Sequence, residues 1–95
     1  MKAYENLYII RPDLDDEAVA VTVDKFTNVL ANNGGADVVV DKWGKRRLAY
    51  EIKDYREGFY VLMSFEGEAR TAEELERTMK ISDDILRYLT TKKED

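Results

Sequence analysis

Phe59-Tyr60-Val61-Leu62-Met63-Ser64-Phe65-Glu66 is followed, after a short gap, by Thr71-Ala72-Glu73-Glu74-Leu75-Glu76-Arg77-Thr78-Met79-Lys80. Across this stretch the apolar period changes from two to about 3.6. In the first half Phe59, Val61, Met63 and Phe65 point one way, and Tyr60, Leu62, Ser64 and Glu66 point the other, as on a strand. In the second half Ala72, Leu75 and Met79 form the apolar stripe of a helix. Thr71 through Glu74 reads as a capping box. Glu73 with Arg77, and Glu76 with Lys80, are spaced to pair on the outer face. A strand that feeds an amphipathic helix requires a sheet for that helix to cover.

Outward from this point the same two periods recur. Upstream, Lys53 to Gly58 reads as a polar turn, and residues 36–52 as a long strand. Val38 and Val40 are expected to share a face with Leu48, Tyr50 and Ile52, which puts Tyr50 in the core and Trp43 opposite Leu48. Gly44 interrupts this strand and marks a bulge or bend. Earlier still, Val19, Val23, Phe26 and Leu30 make a helix stripe, opened by Asp15-Asp16-Glu17 and closed by Asn32-Asn33-Gly34-Gly35. Residues 2–11 read as a strand apolar on both faces, with Tyr4, Tyr8 and Ile10 on one and Leu7 and Ile9 on the other; such a strand is usually central. Downstream, Ser82-Asp83-Asp84 is a break, Ile85–Thr91 a last strand and 92–95 a flexible tail. Residues 1–91 are therefore expected to form one α+β domain in the ferredoxin-like order βαββαβ. Its four-stranded antiparallel sheet would carry both helices on one face and leave the other bare.

The 95 residues are 44% apolar and 11% aromatic, enough for a core that buries about 65% of the unfolded chain's surface and too much for disorder. Without Cys there is no thiol nucleophile or thiolate metal site; without His the commonest general base and metal ligand are gone. The adjacent acids Glu73-Glu74 and Asp83-Asp84 point apart, unlike a catalytic pair. A phosphate cradle after the first strand is opposed by Asp13 in Arg11-Pro12-Asp13. The expectation is a protein without catalytic residues, cofactor, metal or small-molecule substrate. No apolar run would span a membrane, and the first residues lack the core of a secretion signal, so a cytoplasmic protein is expected.

Net charge is −5, which in bulk disfavours nucleic acid. Its distribution is uneven. Residues 42–56 hold six basic groups against two acidic, net +4, and the rest of the chain carries −9. A local field of this kind governs docking more than the total does. The common RNA-recognition module, which reads basic-Gly-aromatic-small-aromatic on its third strand, fits poorly to Glu57-Gly58-Phe59-Tyr60-Val61, where only the Gly and first aromatic agree.

Within the basic segment, Gly44-Lys45-Arg46-Arg47-Leu48-Ala49-Tyr50-Glu51-Ile52-Lys53 resembles the motif of the bacterial small-subunit ribosomal protein six family. That motif runs Gly, any residue, a basic residue, a polar or charged residue, Leu, Ala or Ser, Tyr, any residue, Ile, and a polar or charged residue; every specified position agrees. Tyr4-Glu5, Gly58-Phe59-Tyr60 and Ile85-Leu86-Arg87 also fall where that family places similar residues, so the resemblance spans nearly the whole chain. It implies the same βαββαβ fold. It further implies binding to the central domain, or platform, of 16S ribosomal RNA, as a heterodimer with small-subunit ribosomal protein eighteen. Lys45, Arg46 and Arg47 then become candidates for RNA or partner contacts, against the alternative of charges that protect an exposed strand edge. Lys2, Arg87, Lys92 and Lys93 are further cationic candidates. Trp43, Tyr60 and Leu62 are candidates for the face that meets the protein partner, with local packing the alternative for Trp43. The rival reading is a regulatory or protein-binding ferredoxin-like module that dimerises through its open sheet face.

Overall fold

The computed structural model describes residues 1–93. The elements are β1 (Lys2–Ile10), α1 (Asp16–Asn32), β2 (Ala36–Ile52), β3 (Tyr55–Gly67), α2 (Ala69–Lys80) and β4 (Ile85–Lys92). The sheet order is β2-β3-β1-β4 and every pairing is antiparallel. This is the expected ferredoxin-like arrangement, with β1 inside and β2 and β4 at the edges.

The core lies between the sheet and both helices. Tyr8, Ile10, Val61, Met63 and Phe65 from the strands meet Val19, Val23, Phe26 and Leu30 from α1 and Ala72, Leu75 and Met79 from α2. Phe26 stands edge-on to Tyr8 with ring centroids 5.4 Å apart. Each of the larger apolar side chains among these contributes roughly 1.5–3 kcal/mol by leaving water. Helix α1 begins as its sequence dictates: the Asp15 carboxylate accepts the Ala18 N–H at 2.8 Å. It ends where Gly34 takes φ +84° and the Gly35 N–H returns to the Leu30 carbonyl at 2.7 Å.

Helix α2 departs from the capping-box reading. It starts earlier, behind Glu68, and no side chain caps it. Thr71 is 1% exposed and its hydroxyl donates to the Asn33 carbonyl at 2.6 Å, so it ties α2 to the end of α1 instead. Arg77 pairs with Glu74, three residues back, rather than with Glu73.

The face assignment along β2 also changes. Lys42 pairs with Val61 and Gly44 with Tyr60, so Trp43 is an extra residue in the strand. Gly44, at φ +86°, supplies the conformation that the bulge needs. One inserted residue reverses the alternation beyond it. Val38 and Val40 pack toward the helices, whereas Leu48 and Ile52 join Ile9, Leu86, Tyr55 and Tyr60 on the opposite face. Trp43 consequently lies beside Tyr60 on the same face as Leu48. Tyr50 is not core: it is 57% exposed.

The β2–β3 turn is tighter than expected. Lys53 and Asp54 both have positive φ, at +50° and +69°, as a two-residue primed turn requires, and pairing resumes at Ile52 with Tyr55. The hairpin does not leave the second face bare. The Arg87 guanidinium on β4 lies 5.5 Å from the Tyr50 ring centroid on β2, although the two strands form opposite edges, so the far half of β2 leans across the sheet. At the other end β4 includes Lys92, opposite Tyr4, and the Lys93 N–H donates to the Ala3 carbonyl at 2.8 Å. Of the expected 92–95 tail, residues 94–95 lie outside the described residues.

Candidate nucleic-acid interface

Pairing with β3 fixes where the basic strand points. Lys45 is opposite Phe59, Arg46 opposite Gly58 and Arg47 opposite Glu57, so Arg46 faces away from Lys45 and Arg47, as alternation requires. All three are exposed and none makes an ion pair among the described residues. Lys45 borders a groove of about 260 Å³ with Arg11, Pro12, Asp16 and Phe59, near the start of α1. Arg47 borders a hollow of about 280 Å³ with Tyr50, Glu51 and Arg56 at the hairpin. Nearby Arg56 is neutralised by Glu51 at 2.9 Å.

Arg46 belongs to a layered group on the open face. Its guanidinium carbon lies 4.9 Å from the Trp43 ring centroid. Trp43 in turn lies parallel to Tyr60, with centroids 6.3 Å apart and planes 8° from each other. The indole N–H donates to the Asp41 carboxylate at 3.1 Å, which fixes the ring's rotation. Arg87 on Tyr50 makes a second guanidinium–aromatic pair on this face. Next along the strands, Leu62, Leu7 and Leu89 form an apolar row through the register Leu62 with Leu7 and Leu7 with Leu89.

The remaining cations lie elsewhere. Lys2 pairs with Gly67 and Lys92 with Tyr4, at the opposite end of β1 from Ile10. Eight steps of strand separate those ends by about 27 Å. Lys93 is 3.9 Å from Glu5. The seven cationic candidates therefore form two groups: Lys45, Arg46, Arg47 and Arg87 toward the hairpin, and Lys2, Lys92 and Lys93 at the far end. Trp43 and Tyr60 are brought together, with Leu62 one row away. Periodicity alone missed Tyr50, which lies beyond the bulge, and the orienting Asp41, whose partner Trp43 is the bulged residue; Gly44 was the available signal. Among the described residues no three His, Cys, Asp or Glu side chains gather as a metal site, and no helix is long and apolar enough to cross a membrane.

A ferredoxin-like domain with a basic edge hairpin and an aromatic open face defines a class, that of small binding domains built on a sheet. Known proteins narrow it. A family model described as Ribosomal protein S6 matches residues 3–92. The small ribosomal subunit protein bS6 of Desulfitobacterium hafniense (strain DSM 10664 / DCB-2) is 77% identical over 95 residues, covering all of both chains. That of Moorella thermoacetica is 52% identical over all of this chain and 97% of its own. The crystal structure of 30S ribosomal protein S6 from Thermotoga maritima superposes with a TM-score of 0.91 at 28% identity, over 97% of this chain and 87% of that one. The chain belongs to the ribosomal protein S6 family. It is accordingly a structural protein of the small ribosomal subunit in the bacterial cytoplasm, not an enzyme, and the ribosomal reading prevails over the rival regulatory module.

Proposed function

We propose that this chain binds the central domain of 16S ribosomal RNA together with small-subunit ribosomal protein eighteen, as one half of a heterodimer that assembles on the platform. The observation that carries this reading is the placement of the family motif. Its cations Lys45, Arg46 and Arg47 stand exposed on an edge strand, without carboxylate partners among the described residues, in a chain whose net charge is −5. In such a chain the basic hairpin is where phosphates would be neutralised. Contacts of this type set orientation and register through RNA shape. The modest basic surface fits co-dependence, in which the partner protein supplies further cationic area. The leucine row Leu62, Leu7 and Leu89, with Leu89 65% exposed, is apolar surface suited to a protein partner. Lys2, Lys92 and Lys93, toward the other end of β1, serve only as secondary contacts, separate from the hairpin group.

The test is the ternary complex of a central-domain RNA fragment, protein eighteen and this chain, compared for wild type, Arg46→Ala and Arg47→Ala. Each variant is expected to keep its fold by circular dichroism and to bind more weakly. The slope of log affinity against log salt should fall by about 0.7–0.9 for each phosphate that is no longer neutralised. Unchanged affinity and slope in both variants would remove these residues from the RNA interface.

A further inference from the structure

We infer that the groove between the first turns of α1 and the entry to β4 docks a basic protein segment that carries apolar side chains, at a site separate from the RNA and partner surfaces described above. The groove encloses about 410 Å³. Its floor is apolar, made by Leu14, Ala18 and Val21. Its rim is acidic, made by Asp15, Glu17 and Asp84, and among the described residues no basic side chain lines it. Glu17, Ala18 and Val21 share one side of α1 by helical spacing, whereas Asp84 comes from the turn before β4. The two walls are joined before any partner arrives. The Arg11 N–H donates to the Asp84 carbonyl at 2.9 Å, and its guanidinium Nε lies 3.1 Å from the Asp13 carboxylate and 3.6 Å from that of Asp84. The site belongs to the helix layer, across the sheet from the Leu48 and Tyr60 face.

Starting a helix accounts for part of this arrangement. Asp15 caps α1 through the Ala18 N–H, and Asp16 and Glu17 suit the helix dipole. Neither role calls for Val21, which is 63% exposed beside Leu14 and Ala18. Nor does either call for an acid from a second element at the same apolar floor. Exposed apolar surface framed by one sign of charge fits a segment with apolar side chains and the opposite sign. Charge selects the occupant further. Residues 13–17 and 82–84 hold six acids and no base. Their field attracts Lys and Arg and repels phosphate, which sets RNA aside and leaves a basic stretch of protein.

The full-length chain, isotope-labelled for amide NMR, is titrated with an end-blocked decapeptide of alternating Arg and Leu. Two analogues separate the contributions, one with Ser for every Leu and one with Glu for every Arg. The Arg-Leu peptide is expected to give saturable shifts confined to residues 14–22 and 82–85 at up to about 1 mM, and neither analogue should saturate there. Val21→Ser should weaken binding about five- to tenfold, and Glu17→Gln about two- to fivefold. Both are exposed changes that leave the fold alone, and Glu17→Gln decides the matter if Val21→Ser disturbs α1. Val39→Ser removes a valine that is 61% exposed on the opposite sheet face and should leave the affinity unchanged. Absence of saturable shifts at the groove, equal binding of the Ser analogue, or unchanged affinity in both groove variants would each overturn the docking site. Saturation of the same amides by an oligo-U ribonucleotide would overturn it as well. The ternary complex with ribosomal RNA and protein eighteen is measured separately, so the two readings stand or fall independently.

Discussion

Tyr8 is fully buried among Phe26 and the strand core, and its hydroxyl has no hydrogen-bond partner among the described residues. An unpaired buried hydroxyl costs about 1–3 kcal/mol, so Tyr8→Phe should stabilise the domain by about 1 kcal/mol in urea unfolding. Burial also pushes the phenol's pKa up, so the folded state disfavours ionisation. The stability linked to that proton is present below the unfolded pKa of about 10 and is lost as pH rises past it. Tyr8→Phe should flatten that alkaline loss. A second residue carries the opposite part of the pH range. The Asp37 carboxyl beside Glu66 holds the Glu66 pKa above its ordinary value, first by favouring a hydrogen bond to the protonated acid and then by like charge. Its protonated form is therefore favoured by folding; the contribution is full below the usual carboxylate range and disappears as pH rises through the raised value. Glu66→Gln keeps a donor without the charge. Thermal melts should show a higher Tm than wild type near pH 7 and a difference that vanishes near pH 4; an equal gain at both would contradict the shared proton.

At the scale of elements, β2 shows what periodicity can and cannot supply. Its ends at 36 and 52, the stripe of α1 and the inward set Val61, Met63 and Phe65 were all legible, since each follows from an unbroken period. The faces beyond Gly44 were not, because counting by twos assumes a continuous pleat and one inserted residue inverts it. The primed turn at Lys53-Asp54 was hidden for a related reason: neither residue is the Gly or Asn that usually signals positive φ. Thr71 matched a capping pattern, but the register of α2 turns it inward to Asn33. Two glycines separate conformation from crowding. A Cβ on Gly44 would meet nothing within 4 Å, so Gly44→Ala should cost only the positive-φ strain, about 1 kcal/mol. On Gly58 it would lie 2.3 Å from Ile9 Cγ2, a stiff β-branched group beneath Leu48. Gly58→Ala should cost more, up to about 3 kcal/mol, by forcing β1 and β3 apart. Chemical denaturation of both variants checks the order; Gly44→Ala being the worse would mean that backbone strain at the bulge outweighs crowding at Gly58.

The whole molecule is an acidic domain in which Lys45, Arg46, Arg47 and Arg87, without ion-pair partners among the described residues, lie toward one end of the sheet. The class of fold and the basic segment could be read from order and charge, and the motif pointed to the family. How the cations divide could not, because Lys2 and Lys92 join one end only through the pairing of β1 with β3 and β4. The division matters for binding, since even Arg87 and Lys92, one from each group on the same strand, stand five residues or about 17 Å apart, beyond the roughly 8 Å over which charges act at physiological salt. A domain whose cationic surface is small and divided is expected to need a second protein to hold RNA firmly. The most direct test is a titration of a central-domain 16S RNA fragment with this chain, with and without small-subunit ribosomal protein eighteen, at two salt concentrations. Tight, salt-sensitive binding that requires both proteins is the expected result; absence of binding under every condition, including both proteins at the lower salt, would contradict it.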